Sequence, residues 1–372
     1  MSRGRVGILT SNYFDPTGQR LPCGGAERYA VQLTQLLLEL DYEVEWWQVG
    51  GGWKKEMVPG VTIHSVPETE APYYTLPHLN QVFYEQAVTV DYAIYFVTFL
   101  AYPQVLEKSI SISHGIFWDY PSFDSLLNTE EDRAEWRRRL WIAFTGPQRV
   151  VSVDTATIQW VTATWPGLAH KLEYIPNFVD TALFHPPEQG RDGEVVRVLF
   201  PRRITPVRGV NEAVRAAEIL TARHPNLEFH LVGRAGSEEI EERIRQWAAD
   251  RERIFYYWRN ADQMPEVYRS ADIALIPSKY AEGTSLSCLE AMASGCAVVA
   301  SYVGGLSDLI IHNYNGLLVR PTVENLVAAV EELLADPAQR RRLGERAREV
   351  ALTFDLSLWK ERWRRVIEAV FR

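Results

Sequence analysis

DIALIPS (residues 272–278) and AEGTSLSCLEAMASGCAVVASYVGGLSDL (residues 281–309) follow each other almost without interruption. The first reads as a buried strand that ends in a loop, because its apolar residues are continuous and β-branched residues are among them. The second opens with polar residues and takes up helical spacing over residues 286–294. It then passes Gly295 as a C-cap and enters another apolar run, CAVVAS. Strand, loop, helix and strand in this order form the unit of a parallel sheet covered by helices.

The same alternation extends in both directions. Towards the N-terminus, RVGILT (5–10) is a candidate strand and AERYAVQLTQLLLEL (26–40) a candidate helix. VEWWQV, VTIHSV, YAIYFVTFL, SISISH, RVVSV and KLEYIPN read as further strands. The segment HPPEQGRDGE (185–194) is rich in proline, glycine and charge and reads as a linker. After it the pattern restarts with VVRVLF, a helix over 210–223, LEFHLVG, a helix over 238–250 and RIFYYW. GLLVRP and two closing helical stretches, 323–334 and a long basic one ending at Arg372, follow the quoted segment. The expectation is an α/β protein of two Rossmann-like, doubly wound parallel-sheet domains, spanning 1–184 and 185–350, with a C-terminal helix over 351–372. The 372 residues suffice for two separate cores.

Composition narrows the function classes. The formal net charge of −9 disfavours nucleic acid as the main partner. Cys23, Cys288 and Cys296 show no metal-ligand spacing, and their odd number fits a reducing, cytoplasmic setting. No secretory signal is visible, and the longest apolar run, near 93–102, is too short to span a bilayer. No GxGxxG fingerprint occurs, which counts against a nicotinamide dehydrogenase. The 12 tryptophans can offer flat faces to sugars, but core packing is the favoured reading of them.

Chemistry concentrates in the loops that follow strands. Glu282 and Glu290 are separated by seven residues. Thr284, Ser285, Leu286 and Ser287 surround a helix N-terminus, whose free N–H groups and positive dipole suit a phosphate. A carboxylate one turn into the helix can accept ribose hydroxyls, and one in the loop can accept sugar hydroxyls. Arg203 and Arg208 follow the strand VVRVLF, with Arg202 as a competing candidate, and two cations there would stabilise a departing diphosphate. Gly24, Gly25 and Gly233 follow strands and allow close approach of backbone to a ligand. His114 ends SISISH, and Phe117, Trp118 and Asp119 come next as weak candidates for stacking on and binding an acceptor sugar.

Glu282-x7-Glu290 with its surroundings resembles the EX7E element of retaining glycosyltransferases, in particular glycosyltransferase family 4, which share the GT-B fold. The likeness continues through VGGLSD and NYNGLLVRPTVENL. GGAERYAVQL, SHG (113–115), IPNFVDTALFHP, FPRRITPVRGVNEAVRAA and DPAQRRRLGERARE resemble further family segments in the expected order, so it covers nearly the whole chain. Two departures stand out: the family usually has lysine where Arg208 stands, and more often glycine where Arg202 stands. The resemblance implies a retaining, metal-independent hexosyltransferase that moves a sugar from a nucleotide-sugar donor to a glycan or lipid-linked glycan hydroxyl in cell-surface polysaccharide synthesis. In it His114 hydrogen-bonds the donor sugar, and the leaving phosphate itself takes the acceptor proton. No DxD motif stands between strand and loop, so no obligatory metal or cofactor is expected. Other GT-B enzymes, a phosphorylase or a nucleotide-sugar epimerase, and a non-catalytic sugar-binding subunit are the alternatives.

Peripheral membrane contact is a further expectation. RAEWRRRLWIAF (133–144) and WKERWRRVIEAVFR (359–372) combine arginines with apolar residues at helical spacing. Basic amphipathic helices lie on anionic lipid. The opposing reading packs the C-terminal helix back on the N-terminal domain and buries its tryptophans.

Overall fold

The structure, a computed structural model, describes residues 2–19, 24–67, 76–118, 120, 127–191, 193–280 and 282–372. Asp119 and Cys23 lie outside them. The chain divides into two compact units. One comprises Met1–Gly115, Pro121–Ile175 and Lys360–Arg372, the other Ile116–Tyr120 and Pro176–Trp359. The division thus falls at Ile175/Pro176, ahead of the proline- and glycine-rich segment 185–194. Arg191 within that segment is anchored to the second unit, donating to the carbonyl oxygens of Gly295 (2.7 Å) and Ser294 (2.5 Å).

In the first unit β1 (Arg5–Leu9), α1 (Gly25–Glu39), β2 (Glu43–Val49), β3 (Lys54–Val58), β4 (Val61–Val66), α2 (Pro77–Gln86), β5 (Tyr92–Tyr95), β6 (Ser109–Ser113), α3 (Glu130–Thr145), β7 (Arg149–Ser152), α4 (Thr155–Thr164) and β8 (Leu172–Tyr174) follow in order. Their sheet runs β3-β4-β2-β1-β5-β6-β7-β8, parallel except where β3 turns back on β4. The expected long strand over 92–100 is shorter. It ends at Tyr95, and a 3₁₀ turn follows over Thr98–Leu100.

The second unit contains β9 (Val196–Phe200), α5 (Val210–Arg223), β10 (Leu227–Val232), α6 (Glu238–Ala249), β11 (Ile254–Tyr257), α7 (Met264–Arg269), β12 (Ile273–Ile276), α8 (Leu286–Ala293), β13 (Ala297–Ser301), β14 (Leu317–Val319), α9 (Val323–Ala335) and α10 (Pro337–Ala351). Its sheet is wholly parallel, in the order β11-β10-β9-β12-β13-β14. Side chains alternate between its faces. Val198, Phe200, Ile273 and Leu275 join one core with α5 and α9, while Leu199, Ala274 and Ile276 join another with α8. The chain winds from β9 outward to β11, then returns to β12 and winds the other way. Ligands bind at the carboxyl ends of the strands flanking such a reversal, here β9 and β12.

The long C-terminal helix expected from the sequence is two. α10 stops at Ala351, and α11 runs over Leu356–Val370. Between them Asp355 accepts from Ser357 N (2.9 Å) and Thr181 Oγ1 (2.6 Å), and this local hydrogen bonding ends one helix and starts the next. From Lys360 onward α11 packs within the first unit. There Trp363 Nε1 donates to the Tyr29 hydroxyl (2.8 Å), and Phe371 stacks on Tyr92.

Trp359, Trp363 and Phe371 are therefore buried, and so are Trp136, Leu140 and Phe144 of α3. This corrects the expectation that these apolar residues face lipid, because core packing has taken them. Among the described residues no helix is long and apolar enough to cross a membrane.

Candidate functional site

The reversal point of the second sheet holds a charged cluster. Glu282 stands in the loop between β12 and α8. Its Oε1 accepts from Arg202 Nη2 at 2.6 Å, its Oε2 from Arg208 Nη1 at 3.0 Å, and the Ser278 hydroxyl donates to Oε2 as well. Arg202 lies two residues beyond β9 and Ser278 two beyond β12, so the reversal itself brings them together. Burial alone would raise the Glu282 carboxyl. Arg202 and Arg208 outweigh it and hold the group down to about 2. Glu282 is thus an anion at neutral pH, with its side chain 11% exposed.

Backbone fit fixes this carboxylate. Gly305 N donates to the Glu282 carbonyl (2.6 Å), and Gly304 has a φ of +49°. A Cβ on Gly304 would stand 2.3 Å from that same carbonyl oxygen, so the VGG turn closes on Glu282 only with glycine. Gly233 has an equivalent role beside the arginine: a Cβ there would stand 1.9 Å from the Arg202 carbonyl oxygen. Gly233, expected among the donor-binding residues, lies against the Arg202 backbone.

The residues after Glu282 build the start of α8. Ser285 is its N-cap, accepting from Cys288 N (3.4 Å) and from Arg202 Nη1 (3.2 Å), with the Ser287 hydroxyl 3.2 Å away. Leu286 is buried. Thr284 is buried too, and its hydroxyl accepts from Asn177 N at 2.7 Å, which ties the loop to the segment before β9. Glu290 is buried in α8, where Oε2 accepts from the Tyr268 hydroxyl at 2.9 Å. Arg203, in contrast to Arg202, has an exposed side chain. Of the two neighbouring arginines it is Arg202 that reaches Glu282. Arg208 also hydrogen-bonds Tyr120, whose ring lies 5.8 Å from Tyr280.

Among the described residues no three His, Cys, Asp or Glu side chains gather as a metal-ligand set. Cys288 and Cys296 are buried and free, and burial pushes both thiols up, Cys296 to about 11. Neither is a nucleophile in this state.

The first unit holds Gly24, Gly25 and His114. Gly24 is the N-cap of α1, and Gly25 opens the helix. His114 follows β6, with its ring against Tyr29 (5.1 Å) and Phe96 (4.9 Å). Burial pushes its imidazole down to about 4, despite a hydrogen bond to the Phe96 backbone. It is neutral at pH 7, and its buried Nε2 has no hydrogen-bond partner among the described residues. Phe117 and Trp118 belong to the second unit and meet edge-to-face at 5.3 Å. The acceptor role expected of Asp119 lies outside the described residues.

Sequence reasoning missed Ser278, Tyr120, Asn177 and Tyr268. Asn177 and Ser278 stand in the segments IPNFVDTALFHP and DIALIPS without a role assigned to them there, and only the folded arrangement joins the four to Glu282, Arg208, Thr284 and Glu290.

Comparison with known proteins agrees with this architecture. The chain is 27% identical over 360 residues to D-inositol 3-phosphate glycosyltransferase of Pseudarthrobacter chlorophenolicus, covering 87% of this chain and 85% of that one. Curated relatives of 30% identity or more align over 36% to 57% of their own length. Sucrose-phosphate synthase of Thermosynechococcus elongatus superposes with a TM-score of 0.79 at 21% identity, over 99% of both chains. HepE of Anabaena, solved with UDP-glucose, superposes with a TM-score of 0.74 at 16% identity, over 98% of this chain and 100% of that one. Two parallel-sheet α/β domains with these neighbours define the GT-B fold of glycosyltransferases. Residues 183–350 match the family model described as glycosyl transferases group 1.

Proposed function

We propose that the protein is a retaining, metal-independent glycosyltransferase that moves a hexose from a nucleoside diphosphate sugar to a hydroxyl of a glycan. The observation that carries this reading is the Glu282–Arg202–Arg208 cluster at the sheet reversal, beside the N-terminus of α8. Such an end offers free N–H groups to a diphosphate. Arg208 and the exposed Arg203 supply positive charge that grows in value as the phosphate departs. Glu282, ionised and oriented, accepts hydrogen bonds from donor-sugar hydroxyls, and Glu290 is the candidate for the ribose. In the first unit His114, neutral and with Nε2 unbonded among the described residues, is able to accept from a sugar hydroxyl.

In the reaction the bond from C1 of the sugar to the β-phosphate oxygen breaks. The acceptor oxygen bonds C1 on the same face, and its proton passes to the departing phosphate oxygen. No protein nucleophile is required. UDP-glucose bound to HepE supports a nucleotide sugar as donor. A glycan of cell-surface polysaccharide as acceptor and a cytoplasmic location are parts of the same proposal.

A thermal-shift panel of UDP-, GDP-, ADP- and dTDP-sugars in excess EDTA identifies the donor, and proton NMR of the product then gives the anomeric configuration. Expected are stabilisation by one nucleotide class, turnover in EDTA and a product anomer matching the donor. An inverted product, or complete loss of activity in EDTA restored by magnesium, overturns the reading.

A further inference from the structure

Two arginines bind one carboxylate in the second unit, and they are not equivalent. The Arg202 side chain is 4% exposed and that of Arg208 19%. Arg202 spends one Nη on Glu282 (2.6 Å) and the other on the N-cap hydroxyl Ser285 (3.2 Å). Its backbone is pressed against Gly233. Arg208 sits at the end of the short turn Pro206–Arg208 and divides its bonds between Glu282 and Tyr120. Both guanidinia thus have two side-chain partners, but Arg202 is also fixed through its backbone and nearly inaccessible, whereas Arg208 stands on a short turn with more of its side chain exposed, so Arg208 is the one placed to follow a ligand.

We propose that Arg202 is a positioning residue that fixes the Glu282 carboxylate and the Ser285 cap in the orientation meeting the donor sugar, and thereby leaves Arg208 to the diphosphate. Arg202 does not itself touch the substrate. The inference rests on the donor-site reading above and adds a division of labour between the two cations.

The division has a pH signature. Among the described residues the groups facing Glu282 are Arg202 after β9, Arg208 before α5, Ser278 after β12, Cys288 of α8 and the backbone of the Gly304–Gly305 turn. Arg202 and Arg208 are the cations among them, and they oppose the effect of burial. When donor phosphate draws Arg208 away, Arg202 is the cation that remains. Without Arg202 the carboxyl titrates upward, and its protonated form no longer accepts hydroxyl hydrogen bonds on both oxygens.

The test compares pH profiles of kcat and donor KM between pH 5 and 8 for wild type, Arg202→Gln, Arg202→Lys and Glu282→Gln, with folding checked by circular dichroism. Arg202→Gln is expected to lower kcat more than it raises KM and to show a new acid limb, losing at least tenfold more activity at pH 5 than at pH 8. Arg202→Lys, which keeps the charge, restores the wild-type shape. An Arg202→Gln variant with a loss equal at every pH, or a new acid limb in Arg202→Lys as well, overturns the positioning role. Should Arg202→Gln fail to fold, the profile of Arg202→Lys decides alone: a wild-type shape supports the role and a new limb rejects it. Full activity in Glu282→Gln would sink the donor-site reading itself. An inactive Glu282→Gln beside a wild-type-like Arg202→Gln removes only this inference.

Discussion

Each unit buries a titratable side chain at the carboxyl end of its sheet, and the two do so by opposite means. Glu282 is surrounded by charge: two arginines and a hydroxyl donate to its oxygens, and the carboxyl falls to about 2 although burial pushes the other way. His114 is surrounded by rings: Tyr29 and Phe96 pack against the imidazole, and burial drives it down to about 4. Both groups therefore stand at neutral pH in the form that accepts hydrogen bonds. The charged solution has a structural cost, since removing either partner strands an ion in a dry place. The aromatic solution leaves an open lone pair on Nε2 and a weaker interaction to lose. The two sites should therefore respond to mutation and to pH with different magnitudes.

The largest effect is expected at Glu282. Glu282→Ala removes the acceptor at the reacting sugar, a loss of about 2–4 kcal/mol of transition-state stabilisation, or about 30- to 900-fold in kcat. It also strands Arg202 in a buried setting. Thermal denaturation should show a lowered Tm, with the far-UV circular dichroism of a folded protein retained. Wild-type turnover in this variant would end the comparison, because the charged cluster would then be only a structural ion pair.

An intermediate effect separates Arg208 from Arg203. Arg208→Ala should lower kcat more than it raises donor KM, because charge develops on the phosphate as the bond breaks. Arg203→Ala, at an exposed side chain that Glu282 does not hold, should lower kcat by a smaller factor and leave Tm within error. Steady-state kinetics and calorimetry on both variants check this. Equal kinetic losses would mean that both cations reach the diphosphate and that pairing with Glu282 does not set their rank.

The difference between Arg202 and Arg203 also marks where reading the sequence stops. The strand–helix alternation of residues 272–301 is visible because parallel strands buried on both faces appear as unbroken apolar runs, and α8 begins at a Ser cap. The same logic places α5 and β9 to within a residue. It does not find β3, a charged edge strand, KKEMV, whose antiparallel pairing needs few apolar residues. Nor does it find the break between α10 and α11, which rests on Asp355 bonding Thr181, 174 positions away. Arginines 202 and 203 are adjacent, and consecutive side chains beyond a strand point opposite ways, so only the register of the fold says which one turns inward. Gly233 marks that register by pressing on Arg202, a contact between residues that no spacing rule connects. Ser278, Tyr120 and Tyr268 are silent in the sequence for the same reason.

The smallest effect, and the sharpest contrast, belongs to His114. His114→Phe keeps a ring between Tyr29 and Phe96 and deletes the open acceptor. A single neutral hydrogen bond is worth about 1 kcal/mol, so kcat/KM should fall only about fivefold. Stability carries the clearer mark. The imidazole is lowered from 6.5 in the unfolded chain to about 4 in the folded one. Between those values the unfolded chain binds the proton and the folded one does not, so stability rises with pH across the window. The contribution is fully present above pH 6.5 and is lost as pH falls towards 4. Glu282 obeys the same sign in a lower window, from its unfolded value of 4.5 down to about 2. Denaturant midpoints measured at pH 7 and pH 5 should therefore converge in His114→Phe relative to wild type. In a Glu282 variant the pH 7 to pH 5 difference should stay as it is in wild type. A wild-type midpoint that is flat between pH 7 and pH 5, with no change on replacing His114, would show that the imidazole is not held neutral by its aromatic surroundings, and the contrast between the two sites would collapse.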